Sequence, residues 1–285
     1  MIGLGTLKQW IVILSGQGRN GKDTLMSIIQ YVLGLCLAAP IPAELVLDGG
    51  ANGKRSSQGP SADLMKLRGL RFASANETSQ NRSFNSGVAK QLSGGGLMTA
   101  RAPFSKANVD WEMTHMIILM TNSRPKAPVD DYAFWKRIKA VHFPLSFVAD
   151  PKEPHERQAD PHIGEKLKAE ASGILNFLVQ GCIDYQKYGL TESAAVRAEH
   201  SAYLKDVDLT GIFIDECCFQ GRAATVTAKD LYAAYRAWAP ENGYRPVSGK
   251  AFGQYMTKRF ESTHTRAGAV YFGIGLISVC DGCDG

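Results

Sequence analysis

A glycine-rich string that could bind phosphate lies near the front of the chain. Residues 16–24 read GQGRNGKDT. The two glycines that bracket it let consecutive backbone N–H groups face an anion, and the lysine adds a point charge for the β- and γ-phosphates of a nucleotide. We therefore expect ATP to bind here. The predicted nucleotide-binding residues are Gly16, Gln17, Gly18, Arg19, Asn20, Gly21, Lys22, Asp23 and Thr24, and Lys22 is also predicted to be catalytic.

The residue after the lysine departs from the usual phosphate-binding pattern. That position normally holds Ser or Thr, whose hydroxyl is a ligand of Mg²⁺, whereas here it is Asp23. Either the Asp23 carboxylate or the Thr24 hydroxyl could hold Mg²⁺, because this ion prefers hard oxygen ligands. The sequence leaves both open. Asp23, Thr24 and Glu77 are the predicted metal residues.

Polar residues also follow two further apolar runs, at 70–75 and 116–121. After the first run come Asn76 and Glu77, and after the second comes Asn122. We expect Glu77 to polarise the attacking water or to hold it through the metal, and Asn122 to hydrogen-bond the γ-phosphate or that water. The usual acidic pair is here reduced to Asn76 and Glu77, so we hypothesise that Asp23 supplies the missing negative charge.

A basic cluster lies further along, in the stretch 130–144. This stretch predicts a short helix that carries Lys136, Arg137 and Lys139. Arg137 or Arg124 could reach a nucleotide bound to a neighbouring subunit and neutralise charge in the transition state. The alternative for either arginine is an ordinary surface charge.

Short apolar runs that alternate with helical patterns position these groups, and this alternation is typical of an α/β domain. Buried strands are predicted at 9–15, 70–75 and 116–121. A helix is predicted directly after the glycine-rich string, ending at Gly34. Its apolar residues at helical spacing are Leu25, Ile28, Ile29 and Val32. Composition further predicts a loop over 48–61, a surface connection over 149–162 and an amphipathic helix over 163–188 with Leu167, Ile174, Leu175 and Leu178 on its apolar side.

The last seventy residues follow a different pattern. Thr227 and Asp230 form a capping box for one helix, and Ser248 can cap a second. The stretch 265–276 then predicts a β-hairpin. Its alternating apolar residues are Val270, Phe272, Ile274 and Leu276. Helix, turn, helix and hairpin is the order of a winged helix, so we expect a DNA-binding domain at this end.

Charge supports an anionic partner at both ends of the chain. The net charge is +5, but residues 1–150 carry 17 basic and 10 acidic side chains, and residues 222–276 carry 8 and 3. In the second stretch Lys250, Lys258 and Arg259 are predicted to contact DNA; the alternative is a packing domain with a solvated basic face. The region 151–210 is acidic, with 7 basic and 10 acidic residues, and is expected to be a helical connector.

Composition excludes several classes of protein. A chain of 285 residues with 45% hydrophobic and 21% charged residues can bury a core and is not wholly disordered. No secretory pattern or long apolar stretch appears, so a soluble, cytoplasmic protein with no membrane partner is expected. Of the six cysteines, four are expected to be reduced and buried. Cys280 and Cys283 have the spacing of a metal or redox pair but lack a second pair.

The ordered motifs resemble a known family. The strings GQGRNGKDTL, LRGLRFASANE, AKQLSGGGLMTARAPF, MIILMTNSRP and DDYAFWKRIKAVHFPLSF closely resemble the helicase module of phage and plasmid primase-helicases. These are superfamily III helicases on an AAA+ fold, related to the poxvirus-type primase-helicases. The resemblance covers about residues 8–147, and the tail from about 211 looks like their winged-helix end. It implies ATP-driven unwinding of DNA by a ring, usually a hexamer, during replication of a mobile element in a bacterial or virus-infected cell.

The resemblance also implies roles for single residues. Gly16, Gly21 and Lys22 match the Walker A positions, and Glu77 matches the Walker B glutamate. Asn122 matches the sensor asparagine and Arg137 the arginine finger. In the same way, the segment between Walker B and the sensor strand implies a DNA-contacting hairpin, with three residues facing the central channel: Lys90, Arg101 and Lys106.

The chain departs from the family in three ways. Asp23 replaces Ser or Thr, Gly96 stands where an acidic residue is common, and the primase and helical regions that usually precede the P-loop are missing from this sequence. Either the chain is a fragment, or it relies on a separately encoded primase or helical collar protein. The expected domains are a core at 1–148, a connector at 149–208, a winged helix at 209–279 and a tail at 280–285.

Two other functions remain open. The first is an ATP-gated DNA-binding or initiator module that does not unwind DNA. The second is a small-molecule P-loop kinase, which leaves the tail and the segment 90–106 without a role. Stimulation of ATP hydrolysis by single-stranded DNA distinguishes the helicase from both.

Overall fold

The computed structural model describes residues 8–48, 61–77, 79, 82–190, 192–265 and 268–277. It divides the chain into two compact units, Met1–Tyr203 and Leu204–Gly285. Within the described ranges no helix is long and apolar enough to cross a membrane. Most of the predicted loop at 48–61, together with Cys280 and Cys283, lies outside the described residues. The domain boundaries predicted at 148 and 208 stay predictions.

The first unit is a mixed α/β structure, as the sequence predicts. Its strands are β1 (Ile11–Ser15), β2 (Ala38–Pro40), β3 (Phe72–Glu77), β4 (Leu97–Ala100), β5 (Val109–Glu112), β6 (Met116–Thr121), β7 (Ile138–His142), β8 (Ser146–Val148) and β9 (Glu156–Gln158). Its helices are α1 (Lys22–Leu33), α2 (Ala62–Met65), α3 (Ser86–Ser93), α4 (Tyr132–Trp135), α5 (Ile163–Ala169), α6 (Ala171–Tyr188) and α7 (Ala194–Val207), the last of which runs across the boundary of the unit.

Five parallel strands form the main sheet, in the order β2-β3-β6-β1-β7. The three predicted strands are confirmed as β1, β3 and β6. Every residue of the central strand β6 is buried, which explains why it reads as one continuous apolar run. β4 and β5 form a separate antiparallel hairpin, and β8 forms a short parallel pair with β9, which lies within the predicted surface connection.

The predicted helix after β1 is confirmed as α1, but its buried face was partly misread. Met26 and Ile29 pack against Leu14 and Phe72 in the core, whereas Leu25 is 40% exposed. The helix begins at Lys22, and the buried Lys22 side chain belongs to the same face as Met26 and Ile29. Apolar character alone could not show this orientation, since the residue at the start of the buried face is charged.

Two other helix predictions need correction. The helix α4 ends at Trp135, so Arg137 lies after it and Lys139 lies in β7, because Ile138 and Ala140 alternate into the core as a strand requires. The stretch 163–188 is helical but divides at Glu170 into α5 and α6. None of its apolar residues is fully buried, and Leu175, predicted on the packed side, is exposed.

The second unit contains α8 (Leu209–Cys217), β10 (Cys218–Thr227), α9 (Ala228–Glu241), α10 (Gly249–Arg259), β11 (Ser262–Thr265) and β12 (Gly268–Leu276). Its antiparallel sheet has the order β10-β12-β11. Both predicted caps are confirmed: Thr227 Oγ1 accepts from the Asp230 N–H, and Ser248 Oγ accepts from the Ala251 N–H. The sequence predictions missed α8 and β10.

The predicted hairpin is confirmed, but its alternating apolar residues do not all face inward. Tyr271 and Ile274 are buried, whereas Phe272 is 41% exposed. The pairing with β10 shifts between Gln220 and Thr225, opposite Gly273, which has φ +81°. This irregularity changes which face successive side chains occupy, so strict alternation fails.

Four cysteines fall within the described residues and all are free thiols. Cys218 is buried, and burial raises its pKa to about 12. Cys36 is exposed and Cys182 and Cys217 are half-buried, so the prediction of a buried thiol is confirmed only at Cys218.

Candidate nucleotide-binding site

Three strands of the main sheet end at the same level. Ser15, the last residue of β1, is paired with Thr121 of β6, which is in turn paired with Glu77 of β3. The glycine-rich loop, Asn122 and Glu77 therefore lie at one edge of the sheet, where the carboxyl ends of parallel strands meet. Open α/β sheets bind ligands at this edge.

The backbone of the loop at residues 16–21 has a shape that only glycine tolerates at its two ends. Gly16 has φ +144°, and a Cβ there would lie 2.5 Å from the Phe143 carbonyl oxygen and 2.6 Å from Asn20 Nδ2. Gly21 has φ +83° and directly precedes α1. Arg19 adopts φ +62°, and its carbonyl accepts a hydrogen bond from the Phe147 N–H at 2.7 Å. The segment after β7 thus contacts the loop through the backbone of Phe143 and Phe147.

The residues of this loop fit a phosphate group. Asn20 is 7% exposed, and its Nδ2 has no hydrogen-bond partner in the described part of the chain. Lys22 is 4% exposed, and its Nζ donates to the Gly16 carbonyl. Burial lowers the pKa of Lys22, an effect that the neighbouring Asp23 carboxylate opposes. A buried amide donor and a buried ammonium at the start of a helix are groups that an anion would satisfy.

A cavity of about 470 Å³ lies beside α1 and the end of β3 and brings the predicted acidic residues together. It is lined by Asp23, Asn76 and Glu77 among others, and Asn76 Nδ2 lies 3.4 Å from Asp23 Oδ1. Thr24 is half-buried and is not among the described residues that line this cavity. Within the described ranges no three His, Cys, Asp or Glu side chains are close enough to hold a metal. The donors fit Mg²⁺ bound partly by phosphate and water, which is its usual mode.

Glu77 is held by two groups that the sequence did not indicate. It is 6% exposed, and one carboxylate oxygen accepts from the Ser79 N–H at 2.6 Å. The other oxygen lies 3.3 Å from Arg82 Nε, and Arg82 Nη2 also lies 3.4 Å from Glu44 Oε1. Arg82 thus contacts two carboxylates at the wall of the cavity.

The predicted sensor strand leads to a second unpredicted contact. Asn122 follows β6 and is exposed. Two residues later, Arg124 donates to Glu199 Oε1 at 2.7 Å, and the Ser15 hydroxyl lies 3.3 Å from the same oxygen. Glu199 lies in α7, so long-range folding brings it to the site.

The structure does not bring Arg137 to the glycine-rich loop of its own chain. Its carbonyl accepts from the Ile11 N–H, at the start of β1 and β7, which is the opposite edge of the sheet. The guanidinium donates to the Ala133 carbonyl at 2.6 Å and to Gln9 Oε1 at 2.8 Å. Arg137 therefore does not reach a phosphate at the loop of its own chain, and its predicted role as an arginine finger stays a prediction.

The three predicted channel residues are not all on one element. Arg101 and Lys106 lie in the segment that joins β4 to β5, but Lys90 lies in α3 and its ammonium is 2.6 Å from Asp131 Oδ2. The same joining segment carries Phe104, which is fully exposed and has φ +64°. The sequence predictions missed this aromatic residue.

In the second unit the three predicted DNA contacts lie on or at the end of α10. Lys250 and Lys258 are exposed. Arg259 stacks over the Tyr255 ring, 3.5 Å from its centroid, and its Nη2 lies 3.7 Å from Asp208 Oδ2. Arg259 therefore already has partners within its own unit.

Comparison with known proteins connects both units to viral replication proteins. Residues 205–273 match the family described as Poxvirus D5 protein-like. The predicted resemblance to primase-helicases of the poxvirus type is confirmed. A "Putative helicase" of Acanthamoeba polyphaga mimivirus is 26% identical over 81% of this chain and 25% of its own length. A "Putative helicase" of frog virus 3 is 26% identical over 86% of this chain and 26% of its own.

Further comparisons agree. A "Putative primase" of African swine fever virus is 23% identical over 83% of this chain and 25% of its own length. The chain thus spans about a quarter of the curated relatives it matches. The apo structure of the NrS-1 C-terminal region has a similar fold, with a TM-score of 0.53 over 94% of this chain and 67% of that one, at 12% identity.

Proposed function

We propose that the chain is the ATP-hydrolysing motor of a DNA replication helicase of superfamily III, encoded by a virus, phage or plasmid. The observation that carries this proposal is the common edge of the sheet, where the glycine-rich loop, Lys22, Glu77 and Asn122 meet. The matches to proteins named helicases and primases of large DNA viruses support it.

In the proposed reaction the chain's own groups act on ATP. Lys22 and the Asn20 amide donate to phosphate oxygens, and the loop N–H groups complete the cradle. Glu77 accepts a proton from the attacking water, and Asn122 orients that water. Asp23 and Glu77, with Thr24 as the alternative ligand, would hold Mg²⁺, which when bound offsets the negative charge of the phosphates.

The proposed assembly is a homo-oligomeric ring, usually a hexamer, because Arg137 lies at the far edge of its own sheet. In a ring it would act as the arginine finger on the nucleotide of a neighbouring subunit. The proposal includes an AAA+ core, a C-terminal winged helix, binding of single-stranded or duplex DNA, and a separately encoded primase or helical collar partner. The exposed residues Phe104 and Lys106 and the half-buried Arg101 would contact DNA in the ring.

The test is ATP hydrolysis with Mg²⁺, measured with and without single-stranded DNA. We expect DNA to stimulate turnover, and we expect Lys22→Ala and Arg137→Ala to abolish it. Lys136→Ala is the matched control, since Lys136 is exposed and adjacent to Arg137. The particle mass with an ATP analogue and DNA gives the oligomeric state. A strict monomer that still hydrolyses ATP would overturn the role of Arg137.

Two features favour a second candidate, an ATP-gated DNA-binding module that does not unwind DNA. Asp23 replaces the metal-binding hydroxyl residue, and both oxygens of Glu77 are already engaged by Ser79 and Arg82. Tight ATP binding with negligible turnover in the presence of DNA would support this module and contradict the helicase.

A further inference from the structure

A cavity of about 400 Å³ opens on the second unit, between α9, α10 and β12. This volume is within the range of small-ligand pockets, which is ~300–1,000 Å³. Its walls combine cations, aromatic rings and glycines. The residues that matter here are Lys229, Tyr232, Arg236, Gly249, Gly253 and Tyr271.

Tyr271 contributes to the wall of this cavity, and the residue as a whole is 2% exposed. Its hydroxyl lies 3.8 Å from the point where a Cβ on Gly253 would stand, so it faces the cavity. Burial raises the pKa of Tyr271, which keeps the phenol a neutral donor. A phenol hydroxyl that faces a cavity can donate to a ligand that carries an acceptor.

Gly253 keeps the cavity open. It lies in the interior of α10, where glycine is less favourable than alanine. A Cβ at this position would make only an ordinary contact, and the backbone does not have a positive φ. Neither packing nor backbone geometry therefore requires a glycine, whereas a larger side chain would fill the cavity above Tyr271.

Two cations stand on either side of the opening. Lys229, Tyr232 and Arg236 lie on one stripe of α9, and the two charged residues are about 10 Å apart along the helix axis. Both are exposed, and within the described residues neither has an ion-pair partner. The Tyr232 ring between them is fixed, because its hydroxyl donates to the Val247 carbonyl at 3.0 Å.

We propose that this cavity binds one nucleotide unit of single-stranded DNA. The base enters between the Tyr232 ring and the Tyr271 hydroxyl, and the phosphates on its two sides lie at Lys229 and Arg236. A unit within a strand suits this arrangement better than an acidic peptide, because a strand presents a phosphate on each side of every base. The inference rests on the proposed function only in taking DNA as the partner.

The test compares binding of a short oligothymidylate with binding of an abasic strand of equal length to the full chain. We expect the wild type to prefer the thymidylate roughly tenfold, the scale of one base stacked on an aromatic ring. Gly253→Leu fills the cavity and should bind both strands equally, and Tyr271→Phe should weaken the preference. Gly253→Ala is the matched control and should keep it.

The charged pair is tested by salt dependence. A plot of log K against log salt falls with a slope whose magnitude grows by about 0.7 for each phosphate contact to single-stranded DNA. The double variant Lys229→Gln with Arg236→Gln should therefore reduce the magnitude of this slope by about 1.4. Arg222→Gln, an exposed cation that does not line the cavity, should lower it by less. The inference would be overturned if folded Gly253→Leu kept the wild-type preference for thymidylate over the abasic strand. It would also be overturned if polyglutamate displaced bound oligothymidylate as well as unlabelled oligothymidylate does. Basal ATP hydrolysis, measured in the same variants, reports separately on the proposed function.

Discussion

Arg124 donates to the Glu199 carboxylate at 2.7 Å, and the oxygen that accepts this bond also lies 3.3 Å from the Ser15 hydroxyl. Ser15 is the residue directly before the glycine-rich loop, and Arg124 follows the predicted sensor Asn122. Glu199 belongs to α7, whose Tyr203 donates to the Pro125 carbonyl. These contacts fix the end of α7 that belongs to the first unit onto the edge of the sheet that carries the candidate nucleotide-binding site.

Removal of the Glu199 carboxylate should therefore destabilise the first unit. Its side chain is only 13% exposed, and Glu199→Ala leaves the Arg124 guanidinium without this acceptor. We expect a loss of about 1–3 kcal/mol in the free energy of unfolding, measured with urea. Asp150→Ala removes a fully exposed pair with Lys152 and should cost at most about 0.5 kcal/mol. Equal losses of unfolding free energy in the two variants would show that the Arg124–Glu199 contact stabilises the unit no more than an exposed ion pair does.

Two glycines of the phosphate-binding loop should differ sharply when changed to alanine. At Gly16 a Cβ would overlap the Phe143 carbonyl and Asn20 in a backbone region that alanine avoids, whereas at Gly18 no atom lies within 4 Å. Gly16→Ala should abolish the thermal stabilisation that an ATP analogue gives and lower stability by a few kcal/mol. Gly18→Ala should retain analogue binding. Retained binding in Gly16→Ala would contradict the cradle geometry.

The sequence predicted the strands that form this edge of the sheet because their signals are local. A continuous apolar run, two glycines and a strand-end carboxylate each depend on neighbours in the chain, and β1, β3 and β6 were predicted for this reason. Arg82 and Glu199 were missed because their importance comes from partners brought close by folding. Glu199 is 75 residues from Arg124.

The errors within predicted elements have a similar origin. Alternation would place Phe272 on the same face as the buried Ile274 only in an unbroken register, and the irregularity opposite Gly273 breaks it. Lys139 was assigned to a helix because cationic residues at 136–139 resemble a helical surface, whereas β1 needs a parallel partner strand there. The cavity beneath Gly253 has no local signal, since Tyr271 reaches it from another element.

Asp23 should support hydrolysis in place of the usual hydroxyl residue. It lies 3.4 Å from Asn76 and lines the same cavity as Glu77, so it can supply the second carboxylate near the metal. We expect Asp23→Ser to lower Mg²⁺-dependent turnover by at least about tenfold, and Asp23→Asn to do the same. Steady-state hydrolysis against Mg²⁺ concentration measures this. Unchanged or faster turnover in Asp23→Ser would refute the hypothesis.

Arg82 should position Glu77 for its proposed role as base. Its guanidinium lies between Glu77 and Glu44, whereas the nucleotide phosphates are expected at the loop. Arg82→Ala should therefore lower kcat by about 10–100-fold with little change in KM, and Arg82→Lys should restore part of it. Glu77→Gln lacks the proposed base itself and gives the lowest kcat expected in this comparison. A change confined to KM would instead assign Arg82 to nucleotide binding.

Buried His115 should make stability fall in mild acid. It is 1% exposed, its Nε2 lies 3.0 Å from the Leu92 carbonyl, and burial lowers its pKa to about 4. The unfolded chain binds a proton at this histidine below about pH 6.5, whereas the folded chain does not until about pH 4, so stability is lost as the pH falls through that window. Between pH 7 and pH 5 the loss should be about 2 kcal/mol by urea unfolding. His115→Gln should remove this part of the pH dependence, and His264→Gln, on the exposed strand β11, should leave it unchanged. Equal pH dependence in wild type and His115→Gln would show that His115 does not titrate in this way.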